Sequence, residues 1–149
     1  MCGAVSRRLY FLLIVLCAGA GAAVSGLSLQ HHYHRDSSSF CNINATFDCD
    51  VVNRSAYSEV AGIPVALAGL LAYLLMLGLA AFQRHKAETP ALLFFFGMAG
   101  LAFSLYLTYV EAAVLRTWCI LCLMSLLSIT LISLFSVWRV RQELRGARP

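Results

Sequence analysis

Hydrophobic residues in this chain run in long blocks, and the polar residues gather between them. Four windows contain no Asp, Glu, Lys or Arg: Leu9 to Leu29, Val60 to Phe82, Pro90 to Val110 and Thr117 to Trp138. Each reaches the ~20 residues that a helix needs to cross ~30 Å of hydrocarbon. Lipid offers no partner for backbone N–H and C=O groups, so each window reads as a helix rather than a lone strand. The pattern predicts an all-α membrane protein. It is a four-transmembrane-helix bundle in one domain over residues 1–149, with an outer loop over residues 30–59. From Val51 to Val60, across the end of that loop, Val51, Val52, Tyr57 and Val60 are mixed with polar residues. The mixture predicts a short amphipathic helix lying on the membrane.

Composition sharpens the picture. Of 149 residues, 60% are hydrophobic and 12% are charged. Soluble domains carry roughly 25% charged residues, and so short a chain has too little interior for this apolar content. Disorder and a compact soluble enzyme are both excluded.

The net charge of +4 is a topology signal rather than a nucleic-acid footprint, because the basic residues sit between the apolar windows. Arg7, Arg8, Arg84, Lys86, Arg139, Arg141, Arg145 and Arg148 fall in segments that share one side. Arg35, Arg54 and Arg116 fall on the other. The positive-inside rule then places both termini in the cytoplasm. Arg7 and Arg8 before an apolar run also resemble a secretory signal. The uncharged run exceeds the ~7–15 residues of a signal core, so it reads as a retained helix.

Topology sorts the six cysteines. Cys2 is cytoplasmic and Cys17 lies within the first helix. Cys41 and Cys49 occupy the outer loop, and Cys119 and Cys122 open the fourth helix. The last four therefore meet at one face, the oxidising side where disulfides persist. Cys119-Ile120-Leu121-Cys122 is a C-x-x-C. At a helix start its thiols meet free amides and the positive end of the dipole, which favour the thiolate that attacks disulfides. A structural bridge is the alternative. Cys41 and Cys49 form either a staple for the loop or an arm that passes electrons by thiol–disulfide exchange. Zinc on four cysteines is disfavoured in an oxidising compartment, and no metal site is expected.

In Cys41, Cys49-Asp50-Val51-Val52-Asn53-Arg54-Ser55-Ala56-Tyr57, Gly62-Ile63-Pro64, Gly69 and Cys119-Ile120-Leu121-Cys122, the chain resembles the vitamin K epoxide reductase family. The resemblance runs from the first helix to Trp138. A loop pair first and a late C-x-x-C is its order; the DsbB family places its C-x-x-C early. The resemblance implies an oxidoreductase that passes electrons from thiols to a quinone held between the helices. It implies that Cys122 neighbours the quinone, that Cys119 exchanges with Cys49, and that Cys41 meets a thioredoxin-like partner. Ser55, six residues after Cys49, matches a family serine that supports the reaction. Candidate quinone walls are Phe40, Val65, Ala66, Leu121 and Leu126.

The chain also departs from the family. Vertebrate members hold the quinone carbonyls with an Asn and a Tyr where this chain has Val65 and Leu126, and neither donates a side-chain hydrogen bond. That fits the bacterial branch, which oxidises DsbA-like proteins in the periplasm and reduces ubiquinone or menaquinone. A bacterial inner membrane is accordingly expected over the endoplasmic reticulum. The chain ends at Pro149, so the expected partner is a separate protein. A vitamin K quinone or epoxide reductase and a non-enzymatic membrane adaptor with structural disulfides are the alternatives.

Glu111 closes the third window. An intramembrane acid is a candidate to hold or relay a proton to a quinone. Its competing reading is a carboxylate that reaches interfacial water or pairs with Arg116. His31, His32 and His34 read as loop or interfacial residues.

Overall fold

The computed structural model describes residues 2–33, 44 and 46–146, with side chains of the first helix from Arg7 onward. Four long helices dominate: α1 (Cys2–Tyr33), α3 (Val65–Phe82), α4 (Thr89–Val110) and α5 (Ile120–Gly146). Between α1 and α3 come a one-turn helix α2 (Cys49–Asn53), a 3₁₀ turn (Ala56–Ser58) and the strands β1 (Glu59–Val60) and β2 (Ile63–Pro64). A π-helical turn (Glu111–Leu115) extends α4.

All four long helices are long and apolar enough to cross a membrane. The shortest, α3, has 18 residues, or ~27 Å at ~1.5 Å per residue. Their outward faces are apolar, with Leu12, Leu16, Leu71, Phe95, Leu127 and Leu134 exposed. In water this surface would aggregate; in lipid it is the solvated face. The chain is an integral membrane protein.

The helices close into a ring. Helix α1 packs on α3 and α5, α5 packs on α4, and α3 touches α4 more lightly. Small residues permit the close approaches, as is usual within lipid. A Cβ on Gly97 would meet Ser133 Oγ at 3.3 Å, and one on Gly100 would meet Ile129 Cδ1 at 3.1 Å. The core includes Tyr10, Ile14, Ala18, Met76, Leu93 and Ile132. Arg7 donates to the Arg84 carbonyl over 2.7 Å, and Tyr10 Oη lies 3.4 Å from Ser136 Oγ. These contacts gather the start of α1, the α3–α4 connection and the late part of α5 at one end. The C-x-x-C stands at the other.

The structure draws the elements differently from the expectation in four places. The stretch from Val51 to Val60 is not one amphipathic helix. It divides into α2, the 3₁₀ turn and β1. Strand β1 pairs antiparallel with β2, Val60 opposite Ile63, around a turn in which Ala61 and Gly62 both have positive φ, 55° and 79°. That two-residue turn is the hairpin form that needs left-handed residues. Consequently the second span begins at Val65 rather than Val60. The third continues through the π turn to Leu115, past Val110. The fourth starts at Ile120 rather than Thr117 and runs beyond Trp138 to Gly146. An Arg139–Glu143 ion pair at 3.3 Å, one turn apart, supports that charged extension.

Candidate functional site

The C-x-x-C end is assembled by two short backbone connections. Phe47 bridges Trp118 in parallel fashion. The N–H of Trp118 donates to the Thr46 carbonyl over 2.9 Å, and the N–H of Asp48 donates to the Trp118 carbonyl over 3.2 Å. The loop before Cys49 is thereby laced to the strand-like residues before Cys119. Asp48 then caps α2, its carboxylate accepting from the N–H groups of Asp50 at 3.0 Å and Val51 at 3.2 Å. A capped turn starting at Cys49 projects that side chain inward.

Cys49, Val52, Cys119 and Leu121 form one buried cluster, with Cys122, Val24 and Leu115 packed against it. Cys49 is disulfide-bonded, and its partner lies outside the described residues. Cys119 and Cys122 are free thiols. The structure thus brings together three of the four expected cysteines. Cys41 lies outside the described residues, as does Phe40.

Cys119 occupies the cap position of α5: its carbonyl accepts the first helical hydrogen bond, from Leu123 N at 3.0 Å. The Cys122 thiol donates to its sulfur, and the amides of Cys122 and Leu121 point at it. Together these hold the Cys119 thiol below the ordinary range, although burial and the Glu111 charge oppose the shift. A thiolate at a helix start is the chemistry expected of an exchange-competent C-x-x-C.

Glu111 lies against the same motif. It is 2% exposed, and its Oε2 accepts the N–H of Cys119 at 3.3 Å. The other oxygen, Oε1, is buried without a hydrogen-bond partner. The pairing with Arg116 does not form: Arg116 is exposed and left-handed, φ 51°, where it turns the chain out of the π turn. That turn changes the phase of α4 and carries the Glu111 carboxylate toward α5. Such turns recur at functional sites.

A cavity of about 170 Å³ opens among α1, α3, α4 and α5, just beneath the cysteines. A volume of ~150 Å³ already accepts a benzene ring. Cys122, Glu111, Ser55, Val65, Ala66 and Leu121 line it, so six of the expected residues converge there. Leu126 does not line it. The α5 residues facing the cavity are Leu121, Cys122, Ser125 and Ile129, and the helical period places Leu126 off that face. Ser55 reaches the cavity, but its hydroxyl donates to the Val52 carbonyl at 2.8 Å. It presents lone pairs rather than a proton.

Sequence reasoning missed Asn53, His32 and Tyr73. Asn53 is buried on α2 one turn after Cys49, and this spacing of four residues was the available signal. His32 contacts the Asn53 carbonyl through Nδ1 at 2.8 Å and Glu59 through Nε2 at 3.3 Å. It ties the end of α1 to the hairpin. Tyr73 donates to the Ser125 carbonyl at 2.8 Å and closes the cavity floor. Its ring presses against the backbone of Gly21, leaving no room for a Cβ.

Dithiol, disulfide and apolar cavity in one helical bundle match a known group of proteins. The model of the vitamin K epoxide reductase family matches residues 12–137. Its members are membrane oxidoreductases that couple disulfide chemistry to quinones. By the match over most of its length, and by the arrangement just described, this chain belongs to the vitamin K epoxide reductase family.

Proposed function

We propose that this protein is a thiol–quinone oxidoreductase that makes disulfide bonds outside the cytoplasm, drawing electrons from a thioredoxin-like partner. The observation that carries the reading is the packing of disulfide-bonded Cys49 against Cys119, while Cys122 faces the cavity. Two dithiols and an acceptor site then stand in sequence.

Electrons balance along that sequence. A partner dithiol reduces the Cys41–Cys49 disulfide and leaves as a disulfide. A Cys49 thiolate attacks the sulfur of Cys119 in an oxidised Cys119–Cys122 pair. Cys41 then attacks the Cys49 sulfur of that mixed disulfide and expels Cys119, which restores the loop disulfide and leaves Cys119 and Cys122 as thiols. The quinone accepts the two electrons and two protons released when that pair closes again. The cavity fits such a group: its walls are mostly apolar, and buried polar atoms of Glu111 and Asn53 await partners within it.

Each residue has a distinct part. Cys119, held toward the thiolate, is a good attacking and leaving group in the exchange. Cys122 addresses the cavity. Glu111 receives a proton from the motif through its unpartnered oxygen and passes it to the acceptor. Leu121, Val65 and Ala66 exclude water from the reacting atoms. The excess of basic residues beside the termini supports cytoplasmic ends. The cysteines then face the periplasm of a bacterial inner membrane.

The test is quinone reduction by detergent-purified protein, with short-chain ubiquinone and menaquinone analogues as acceptors. A reduced DsbA-like protein supplies the electrons. Turnover is expected in the wild type and its loss in both Cys119→Ala and Cys41→Ala. Reduction of vitamin K epoxide without oxidation of any thioredoxin-like protein would overturn the proposed reaction in favour of the epoxide branch.

A further inference from the structure

The cavity contains a second polar device beside the cysteines. Asn53 is 7% exposed and lines the cavity wall. Its Oδ1 accepts the Ser28 hydroxyl at 2.9 Å. Its backbone carbonyl meets His32 Nδ1 at 2.8 Å, and His32 in turn reaches Glu59 on the hairpin. Helix α1 therefore fixes this residue at two atoms, and the hairpin braces His32. Yet Nδ2, which carries two N–H donors, is buried with no hydrogen-bond partner. A buried donor left unsatisfied loses its hydration with nothing in return, so a residue held this firmly in that condition calls for an acceptor.

Five of the neighbouring hydroxyls do not compete for that role. Ser28 donates to Asn53, Ser55 to the Val52 carbonyl, Ser58 to the Ser55 carbonyl, Tyr73 to the Ser125 carbonyl and Thr108 to the Ser104 carbonyl. Their hydrogens are committed within the protein. Among the described cavity-lining residues, the Asn53 amide is the fully buried side-chain donor left without a partner. A quinone carbonyl has the complementary chemistry, since its oxygen accepts and cannot donate.

We infer that the Asn53 side-chain amide holds one carbonyl oxygen of the quinone, and that Ser28 and His32 are its positioning residues. The inference rests on the quinone reading above and names the residue that orients the ring in this chain. Anchoring at Asn53, which lies on α2 one turn from Cys49, fixes one end of the ring at the α1–α2 wall. It leaves the ring to extend toward Cys122 and Glu111 on the α4–α5 wall. A ring held at one oxygen presents a defined face to the reactive thiol, where an apolar cavity alone would let it tumble.

The test uses the full-length protein in detergent and a short-chain quinone labelled with ¹³C at its carbonyls. It compares wild type with Asn53→Leu, Asn53→Asp and Ser28→Ala. Two quantities are read: the KM and kcat for the quinone, and the infrared carbonyl band of the bound quinone. Loss of the donor should raise KM about tenfold, the order expected for one buried hydrogen bond. It should also move the carbonyl band toward its position in an inert solvent. Ser28→Ala should broaden that band, because the amide is no longer held at Oδ1. Should Asn53→Leu fail to fold, the near-isosteric Asn53→Asp and the Ser28→Ala variant carry the comparison. A KM and a carbonyl band unchanged from wild type in the Asn53 variants would overturn the inference while leaving the enzyme reading intact. A wild type that neither binds nor reduces any quinone would overturn both, and differs visibly from the first result.

Discussion

The backbone N–H of Cys119 donates to the carboxylate of Glu111 over 3.3 Å, joining the end of the third span to the first residue of the reactive motif. This contact uses one carboxylate oxygen and leaves the other unpartnered at the cavity. Position and proton handling can therefore be separated. Glu111→Gln keeps an oxygen for the Cys119 N–H but cannot exchange a proton at pH 7. Quinone turnover should fall by ~10²-fold, the lower range for a positioned acid or base, with little change in thermal stability. Glu111→Leu also strands the Cys119 N–H and should cost a further ~1–3 kcal/mol of stability. Unchanged quinone turnover in Glu111→Gln would remove the relay role.

Asp48 sets the direction in which Cys49 points. Its carboxylate satisfies two amides of a helix only five residues long, and so short a helix has little stability of its own. Asp48→Ala should cost ~1 kcal/mol and slow thiol–disulfide exchange between the loop and Cys119. Asp48→Asn, which caps equally well, should restore both. Stopped-flow exchange with a reduced partner reads the rate, and thermal unfolding reads the stability.

Cys119 should titrate early. Its pKa lies below that of an ordinary thiol because the Cys122 thiol donates to it and the first amides of α5 face it. A lowered pKa means a larger thiolate fraction at any given pH. The ultraviolet thiolate absorbance lost in Cys119→Ser should therefore have its midpoint below that of an ordinary cysteine thiol. In Cys122→Ala the midpoint should rise, since the first-named donor is gone. A Cys119 midpoint at or above that of an ordinary cysteine thiol in the otherwise intact protein would contradict the assignment of Cys119 as the exchanging thiolate.

Much of this architecture is legible in the sequence, for a physical reason. Lipid demands uninterrupted apolar helices, so the spans announce themselves as charge-free windows, and Cys119 and Cys122 fall visibly at the end of one. The stretch after Cys49 is not legible in the same way. From Val51 to Val60 the mixture of apolar and polar residues serves three short elements, each with its own direction, and no single period describes them. The clue to the hairpin is local: Ala61 and Gly62 share positive φ, which only Gly62 adopts readily. The π turn at Glu111 likewise leaves no periodic trace, yet it decides whether that carboxylate meets Arg116 or Cys119. Asn53 escapes notice because its value lies in a missing partner, a property of packing rather than of residue type.

The most direct measurement concerns the step between the two cysteine pairs. In Cys122→Ala, Cys122 can no longer release Cys119. The Cys119 thiolate attacks Cys49, the bond from Cys49 to its former partner breaks, and alkylation of the thiol so released stops its re-attack and holds the mixed disulfide. Peptide mapping by mass spectrometry without reduction should find Cys49 and Cys119 joined as the main product, and should find none in Cys122→Ala combined with Cys49→Ala. If Cys119 instead remains a free thiol while Cys49 keeps its original bond, the loop disulfide is structural and there is no relay.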